Sequence, residues 1–421
     1  MKLLFLLFGV SVIYANPLLL EYRERNVKFT SDIYKKLSTS MPDNLLVCPL
    51  SVEIVLAMVF TGAAGETARQ LSVATNLPNQ SDKVVDMFSK LIPQLESSDK
   101  YTFESANKIY VQNKFKVDEQ YKNTVMNKFK SEIENIDFEK TTAAADMNQW
   151  VADKTHNKIT DLISQKDLNE DSRLMIINAM YFKGQWLKGF KEDQTAKKPF
   201  YLNNTHYIET DMMSNKGLYK YEENAKLKAK FLELPYKGDD VTMVIALPDN
   251  PEDIKELENN IESVLQQKFD RSITVNIRIP KFQEGSSIKF KEILESLGAT
   301  LPFQNGANFM NMISVEEQDP LKIAEIVQKT KIEVDEKGTV AAAATAVHMQ
   351  TWRSGKIFPD IYFYADHPFI YYIKHKTAGV AFIGRYSTPK GAIQAGKYEA
   401  PVDPQIMRFS RIQKIIDARV E

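Results

Sequence analysis

A short polar segment near the carboxyl terminus carries the residues most suited to covalent chemistry. Arg353 precedes the small residue Ser354. A trypsin-like protease cleaves after such an arginine, because an acidic group in its specificity pocket pairs with the guanidinium. Trp352 would instead suit a chymotrypsin-like protease, and Lys356 offers a second basic cleavage position. Arg353–Ser354 is thus the preferred candidate for a cleaved bond, but on these residues alone an ordinary surface arginine is favoured.

The chain lacks the sequence patterns of an enzyme. No G-x-S-x-G nucleophile elbow occurs, and the five histidines show no H-E-x-x-H metal spacing. Cys48 is the single cysteine, so no intrachain disulfide can form, and its apolar surroundings predict a buried, inert thiol. We therefore expect no catalytic residue, no metal site and no cofactor.

A run of small, uncharged side chains precedes the bait segment. It begins after Glu336 and Lys337 with Gly338, a potential hinge because glycine accepts backbone angles closed to other residues. Its remaining members are Thr339, Val340, Ala341, Ala342, Ala343, Ala344, Thr345, Ala346 and Val347. Alanine favours helix whereas threonine and valine favour strand, so both a plain helix and a strand are open. In a strand, one face would carry Thr339, Ala341, Ala343 and Thr345.

The elements that must position this segment are predicted as helices first and strands later. Helical spacing occurs at Glu21–Leu37, Ser51–Phe60, Asp82–Leu95 and Thr142–Ile163. Stretches rich in Val, Ile, Tyr and Phe predict strands at Arg173–Phe182, Leu227–Leu234, Thr242–Leu247, Thr274–Ile279, Ile361–Phe363 and Phe369–Ile383. This order favours an α+β fold over alternating βαβ units.

The amino terminus predicts secretion. Met1–Ala15 combines a positive start at Lys2 with an apolar run too short to span a bilayer and a small residue before the cleavage point. Two N-x-[ST] sequons, at Asn79 and Asn203, agree with a secreted glycoprotein. The mature chain is thus expected to start near Asn16 and to be extracellular.

Charge gives no global preference for a partner. Lys plus Arg number 54 and Asp plus Glu 55, so nucleic-acid binding is not expected. The lysines of Lys114–Lys130 either bind a glycosaminoglycan or form an ordinary solvated surface; they are Lys114, Lys116, Lys122, Lys128 and Lys130. The extension Lys390–Glu421 predicts an amphipathic helix after Asp403, which could pack on the body, bind a partner or meet an anionic surface.

The hinge-like run closely resembles the reactive-loop hinge of the serpins, a family of serine protease inhibitors. Seven further runs resemble that family in its own order, across nearly the whole chain to about Pro389. They are NLLVCPLS from Asn44, GAAGETARQ from Gly62, NQWVADKTHNKI from Asn148, NAMYFKGQW from Asn178, PKF from Pro280, DHPF from Asp366 and FIGR from Phe382. The missing disulfides and the region of Gln328 give the chain an arthropod-like character.

The resemblance implies a serpin fold with three β-sheets, eight or nine helices and an exposed reactive loop at Gly338–Asp360, within a domain of residues 16–389. It also implies a suicide-substrate mechanism in a monomer. A target protease cleaves the loop, the hinge inserts into the central sheet as a new strand, and the trapped acyl-enzyme cannot complete deacylation. A clotting or immune-cascade protease is the implied partner.

The resemblance also assigns roles to particular residues. The hinge maps to Glu336–Thr345 and the insertion point lies near Trp186, while the region where the sheet opens maps to Cys48, Ser51, Asn178 and Gln328. Serine is usual at the position of Cys48 and histidine is frequent at that of Gln328. The family's spacing favours Trp352–Arg353 as the scissile bond, against Arg353–Ser354 from residue chemistry. Non-inhibitory carriers, storage proteins or chaperones are the alternative, but their hinges tend to carry charged, bulky or proline residues.

Overall fold

Helices gather in the first part of the chain, as the sequence predicts. The structure is a computed structural model that describes residues 16–95, 97, 100–238, 240–314, 320–337 and 360–400. Its helices are α1 (Pro17–Ser40), α2 (Pro49–Gly62), α3 (Gly65–Thr75), α4 (Ser81–Leu91), α5 (Glu119–Lys128), α6 (Ala143–Lys154), α7 (Ile254–Asn259), α8 (Ile261–Leu265) and α9 (Lys291–Ser296). No helix in these ranges is long and apolar enough to cross a membrane.

Strands dominate the rest of the chain. They are β1 (Leu45–Val47), β2 (Tyr101–Gln112), β3 (Glu132–Ile136), β4 (Leu174–Gly184), β5 (Thr195–Asn203), β6 (His206–Asn224), β7 (Ala229–Pro235), β8 (Val241–Pro248), β9 (Ser272–Pro280), β10 (Phe282–Lys289), β11 (Ile323–Val334), β12 (Ile361–Tyr364), β13 (Phe369–His375), β14 (Gly379–Tyr386) and β15 (Gln394–Ala395). The α+β class predicted from the order of the elements is confirmed.

A five-stranded sheet forms one layer, in the order β10-β11-β4-β2-β3. Strands β11 and β4 are parallel, whereas β10 and β2 run antiparallel to the strands beside them. Side chains alternate between the two faces, so that one face contributes to the main core and the other packs against α6. The parallel β4–β11 pair therefore lies near the middle of a buried sheet.

The other strands join into a second hydrogen-bonded system through the long strand β6. One half of β6 pairs with β5, and the other half pairs with β7, while β9 pairs along its middle. From β7 the sheet continues through β8, β13 and β14 to β1, and from β9 it continues to β12. The two parts on either side of β6, with the five-stranded sheet, account for the three sheets that the resemblance implies.

Helix α2 lies between the two layers. Its 14 residues are all buried, and it packs against both β14 and β4. A helix that is apolar on every side is expected to lie in the interior rather than on the surface. Its amino-terminal end, from Cys48 to Ser51, meets the five-stranded sheet beside the β4–β11 pair.

Glu53 is a carboxyl group within this apolar helix. It is fully buried, and Oε2 accepts hydrogen bonds from the Tyr22 hydroxyl at 2.7 Å and from Asn26 Nδ2 at 2.7 Å. Burial raises the pKa of Glu53 to about 8, although these two hydrogen bonds oppose the shift. The carboxyl group is therefore mostly protonated at neutral pH.

We expect Glu53 to make the folded state less stable as the pH rises from about 5 to about 8. Its folded pKa of about 8 exceeds its ordinary value of 4.5, so within this window the folded state holds a proton that the unfolded state has lost. Glu53→Gln keeps an acceptor for Tyr22 and Asn26 but cannot ionise, and should remove about 3 to 5 kcal/mol of that pH dependence. Denaturant unfolding at pH 5 and pH 8 measures the free energy of unfolding, and the difference between the two values gives the pH dependence. Glu252→Gln, at an exposed position, is the control. If the free energy of unfolding changed equally with pH in the wild type and in both variants, Glu53 would not be the group responsible.

Two predicted elements have the wrong boundaries. The helix expected at Thr142–Ile163 ends as α6, because His156 and Asn157 adopt φ angles of 47° and 58°, which a right-handed helix cannot contain. The strand expected at Phe369–Ile383 is the hairpin β13–β14. Gly379 has φ of 80° in its turn, and a Cβ there would lie 2.7 Å from Asn26 Oδ1, so glycine is needed.

The first part of the carboxyl-terminal extension lies on the protein body. Strand β15 pairs with the start of β6, and the backbone N–H of Gly396 donates to the carbonyl of Thr205 at 2.9 Å. Next to it, Tyr398 donates its N–H to Asn204 at 3.1 Å and places its ring against His367. The helix predicted after Asp403 falls in 401–421, outside the described residues.

Candidate functional site

The small-residue run is attached at its start to the end of β11. Glu336 and Lys337 are the last described residues before it, and Gly338–Thr345, Trp352, Arg353, Ser354 and Lys356 lie outside the described ranges. Lys337 donates its backbone N–H to Asp335 Oδ1 at 3.1 Å, and its ammonium lies 3.0 Å from a carboxylate oxygen of Glu192. The start of the run is therefore fixed on the five-stranded sheet.

The other end of the loop is fixed on a different sheet. Asp360 lies directly before β12, and its carboxylate accepts a hydrogen bond from Lys216 Nζ of β6 at 2.9 Å. Strand β12 then runs parallel to β9, and Asn276 donates its side-chain amide to the carbonyl of Ile361 at 3.3 Å. Cleavage between the two attachments would leave one new end on β11 and the other on β12.

Strands β4 and β11 lie directly side by side. Their parallel register pairs Ile326 with Ile176, Gln328 with Asn178, and continues to the pair Ile332 and Phe182. Because β11 leads into the loop, a chain that turned back after β11 would run antiparallel to both β11 and β4. Antiparallel pairs are slightly more stable per residue than parallel ones, so such a strand would suit the position between them.

A row of amide side chains crosses the sheet on its inner face. Asn107 of β2, Asn178 of β4 and Gln328 of β11 occupy one register line across the three strands. Gln328 Nε2 donates to Asn178 Oδ1 at 2.6 Å, which links β11 to β4 by side chains as well as by backbone. Asn178 Nδ2 in turn donates to Asn107 Oδ1 and to the Ser51 hydroxyl. Separation of β4 from β11 must break the contact between Asn178 and Gln328.

The start of helix α2 is tied to the same row. The N–H of Cys48 donates to Gln328 Oε1 at 3.0 Å, and Gln328 Nε2 donates to the carbonyl of Cys48 at 2.9 Å. The Cys48 thiol is fully buried, and burial raises its pKa well above the ordinary value. Cys48 thus acts here through its backbone. The four residues assigned to sheet opening from the sequence, Cys48, Ser51, Asn178 and Gln328, lie together.

We expect Gln328→Leu to loosen the closed sheet. The change removes the contact to Asn178 and leaves the buried N–H of Cys48 without its partner, while the Cys48 carbonyl keeps only the donor from Val52. This loss should destabilise the uncleaved protein by about 2 to 4 kcal/mol. Gln283→Leu makes the same chemical change at an exposed position of β10 and should alter stability by less than about 0.5 kcal/mol. Thermal unfolding of both variants measures the difference; a Gln328→Leu protein as stable as its control would show that the amide row does not hold the sheet.

Side chains also bridge β4 and β11 near the start of the loop. Lys183 of β4 lies 3.0 Å from Glu333 and 3.1 Å from Asp335. The indole N–H of Trp186 donates to the carbonyl of Asp335 at 2.9 Å, and the indole stacks on Tyr236 with ring centroids 4.3 Å apart. Trp186 therefore lies beside the start of the loop, as the resemblance implies, but at a distance along the sheet from the amide row.

Glu336 is a further residue held in place near the start of the loop. Its carboxylate is nearly buried and accepts a hydrogen bond from Lys281 Nζ at 2.8 Å. Burial alone would raise the pKa of Glu336, but hydrogen bonding, chiefly with Lys281, outweighs it and holds the pKa below its ordinary value. The N–H of Phe190 donates to the Glu336 carbonyl at 2.8 Å. The carboxylate is therefore charged and bound when the loop is intact.

Three residues of the site were missed in the sequence. Asn107 lies in β2, which the sequence analysis did not identify, and Lys183 and Lys281 lie inside the family-like runs NAMYFKGQW and PKF but were given no role there. Alternation of apolar and polar residues in the first part of Tyr101–Gln112 could have indicated the strand that carries Asn107. The family-like runs mark the two lysines but do not show which carboxylates they meet. In the described part of the chain, no group of three or more His, Cys, Asp or Glu residues could hold a metal ion.

The predicted surface sites can be placed on the structure. Asn79 is exposed shortly before α4, and Asn203 is the half-buried last residue of β5. The lysines of Lys114–Lys130 follow β2 and surround α5, and four of the five are exposed.

Comparison with known proteins gives a consistent result. A family model described as "Serpin (serine protease inhibitor)" matches residues 24–389. Antichymotrypsin-2 of Bombyx mori is 31% identical over 83% of this chain and 93% of that protein. Antitrypsin of the same organism is 32% identical over 82% of this chain and 89% of that protein. The crystal structure of Serpin48 from the insect Tenebrio molitor aligns with a TM-score of 0.81 and 32% identity, over 88% of this chain and 99% of that chain.

Proposed function

Because this chain belongs to the serpin family, we propose that it is a secreted inhibitor that traps a trypsin-like serine protease as a covalent acyl-enzyme. Serpins are in general protease inhibitors and are not themselves enzymes. The relatives from Bombyx and Tenebrio confirm the arthropod-like character. One observation carries the proposal. Strands β4 and β11 pair directly along a line that we call the seam, and β11 is followed in the chain by a run of small residues.

The chemistry of the proposed mechanism belongs to the target. The catalytic serine oxygen of the protease attacks the carbonyl carbon of Arg353, and the peptide bond to Ser354 breaks. The amino group of Ser354 leaves with a proton, and Arg353 stays joined to the protease as an ester. Ordinarily water would hydrolyse that ester. Inhibition requires that the protease be moved and distorted before hydrolysis occurs.

The sheet supplies the movement. Once the loop is cut, the segment after β11 is no longer held to β12 and can enter between β4 and β11. One parallel pairing is then replaced by two antiparallel pairings, which adds a strand of backbone hydrogen bonds. The inward face of the new strand would meet buried side chains such as Phe182 and Ile332, which small side chains can approach. The uncut protein is therefore higher in free energy than the form that contains the inserted strand. The intact loop prevents that second form from being reached.

The target class is read from the loop and not from the relatives. One Bombyx relative is named for chymotrypsin and the other for trypsin, at nearly equal identity to this chain. Arg353 supports a trypsin-like protease, and Trp352 supports a chymotrypsin-like one if the bond lies one residue earlier. Clotting and immune-cascade proteases are the proposed physiological targets.

The secreted state rests on the sequence of the first residues. Met1–Ala15 has the pattern of a signal peptide, and the exposure of Asn79 supports its use as a glycosylation site. Asn203 also stays a prediction; its Oδ1 accepts a hydrogen bond from the N–H of Thr205 at 2.8 Å, whereas a sugar would be joined to its Nδ2. Glycosaminoglycan binding by Lys114–Lys130, the monomeric state and a surface-binding role of Lys390–Glu421 also stay predictions.

Incubation with trypsin tests the proposal directly. We expect a covalent complex that survives SDS, and we expect the loop-cleaved protein to melt at a higher temperature than the intact protein. Trypsin with its catalytic serine blocked is the control and should give no covalent complex. Cleavage with a raised melting temperature but no complex would favour a non-inhibitory serpin. A melting temperature unchanged by cleavage would contradict strand insertion itself.

A further inference from the structure

A hollow lined by four lysines lies beside the β4–β11 pair. Its volume is about 360 Å³, and the lysines come from separate parts of the chain. Lys158 belongs to the turn after α6, Lys329 and Lys331 to β11, and Lys390 to the start of the carboxyl-terminal extension. Glu284 of β10 is the one acidic residue among the described residues that line it.

The hollow owes its shape to a glycine. Gly285 of β10 pairs with Lys331 of β11, and strand alternation places it on one face with Gln283 and Ser287. A Cβ at position 285 would lie 3.1 Å from the carbonyl oxygen of Thr330, which is closer than most side chains allow. The floor of the hollow is therefore open backbone between larger side chains.

The lysines have little compensating negative charge. Lys329 Nζ donates to the carbonyl of Asp161, which is a neutral group, and the Lys158 ammonium lies 5.4 Å from the ring centroid of Tyr181. The nearest carboxylate contact of Lys331 is Glu333, at 3.9 Å, and Glu333 is bound more closely by Lys183, at 3.0 Å. Four cationic side chains around one hollow repel one another unless an anion is present.

Glu284 interacts electrostatically with Lys390, but alternation along β10 turns its side chain to the face opposite Gly285, so it neutralises only part of the positive charge of the hollow. It accepts a hydrogen bond from Asn44 Nδ2 at 2.9 Å, and burial raises its pKa to about 7. Near neutral pH a substantial fraction of its carboxyl groups is therefore protonated. The hollow keeps a positive charge that is suited to a multiply charged anion.

We propose that this hollow binds an oxyanion group, either a phosphate or a sulfate, and that the bound anion holds the sheet closed. Lysine binds such groups as a point charge through several N–H donors. Lys331 lies on β11 directly opposite Tyr181 of β4, and Lys158 lies over that same tyrosine. An anion held between Lys158 and Lys331 therefore spans the line along which β4 and β11 must separate.

Two sources could supply the group, a free inorganic ion or a sulfated sugar. The binding site does not depend on the inhibitory mechanism, but its effect on loop insertion rests on the proposed function. Binding to the intact protein and binding to the cleaved protein are therefore measured separately, so that either part can fail alone.

The first experiment uses intact protein without protease. Sodium phosphate and a heparin-derived sulfated disaccharide are each titrated at constant ionic strength against sodium chloride, and melting temperature is followed. We expect either probe to raise it, and Lys158→Gln/Lys390→Gln to weaken binding about tenfold or more. Lys35→Gln/Lys36→Gln removes two exposed lysines of α1 as the matched control. Tighter binding of phosphate indicates the free ion, and tighter binding of the disaccharide indicates the sulfated sugar.

Two results would overturn the site. One is no stabilisation of the wild-type protein by either probe beyond that given by chloride. The other is equal stabilisation of the wild type, Lys158→Gln/Lys390→Gln and the single variant Lys331→Gln, since the anion would then be bound elsewhere. The single variant also keeps the test valid if the double variant folds poorly.

The second experiment compares intact and loop-cleaved protein with the better probe. Strand insertion would separate Lys158 from Lys331, so we expect affinity to fall at least about tenfold after cleavage and covalent trapping of trypsin to slow when the probe is bound. If cleavage raises the melting temperature but the intact and cleaved forms bind the probe with equal affinity, the link between the anion and the β4–β11 pair is refuted. Equal affinity without that rise would instead show that insertion does not occur.

Discussion

Thr339→Arg should convert the protein from an inhibitor of trypsin into a substrate. Most of the protein that reacts with trypsin is expected to appear as the cleaved form, and the share trapped as an SDS-stable complex should fall below about one tenth. The loop sequence around Arg353 is unchanged in this variant, so cleavage should remain as fast as in the wild type. The measurement is the ratio of complex to cleaved product on a denaturing gel, together with the moles of inhibitor consumed per mole of trypsin.

The reason lies in the two faces of the five-stranded sheet. In the inserted strand, Thr339 would point toward the buried face, where Phe182 and Ile332 are neighbours in register across the seam. A guanidinium group that enters this face without a partner loses its hydration, at a cost of several kcal/mol. A cost of about 3 kcal/mol in the inserting state slows insertion roughly a hundredfold, and hydrolysis of the acyl-enzyme then overtakes it.

A neighbouring substitution provides the control. Val340→Arg adds the same charge one residue later, where strand alternation places it on the outer face that carries Lys183 and Lys331. That face is partly exposed, so the variant should keep most of its inhibition. Equal loss in both variants would mean that any charge in the run blocks insertion, and full inhibition by Thr339→Arg would contradict entry of this segment into the sheet.

Arg353→Ala should reduce the rate of trypsin inhibition by about thirtyfold to a thousandfold. A guanidinium that pairs with an acid in the specificity pocket forms charge-assisted hydrogen bonds, and loss of such an anchoring contact typically costs about 2 to 4 kcal/mol. The second-order rate constant for covalent complex formation measures the loss. The melting temperature of the uncleaved variant should stay unchanged, because every residue of the β4–β11 pair is kept.

Two companion variants locate the bond. Trp352→Ala should hardly affect trypsin inhibition if Arg353–Ser354 is cleaved, and should abolish inhibition of chymotrypsin if Trp352–Arg353 is the true bond. Lys356→Ala tests Lys356–Ile357 in the same way. Mass spectrometry of the peptide released from the complex then gives the cleaved bond directly. Unchanged trypsin inhibition by Arg353→Ala would move the bond away from Arg353.

The sequence alone was sufficient for the fold class, for the family and for the group Cys48, Ser51, Asn178 and Gln328, which lies together in the structure. Their local signals are strong: the small-residue run, the apolar helix of Ser51–Phe60 and runs such as NAMYFKGQW are continuous in the chain. The residues at which helices and strands end were harder to predict from the sequence. The end of α6 depends on the left-handed backbone of His156 and Asn157, which are residue types that adopt it more often than most but that also occur inside helices.

Tertiary structure decided which distant residues meet. The amide row needs the registers of β2, β4 and β11 together, because no spacing in the chain relates Asn107, Asn178 and Gln328. The lysine hollow likewise joins Lys158 to Lys390, which lie far apart in the sequence. A sequence pattern reports the preference of a segment for helix or strand, since that preference arises from near neighbours. Which side chains share a charge or a hydrogen bond is set by packing between segments, and only the folded chain shows it.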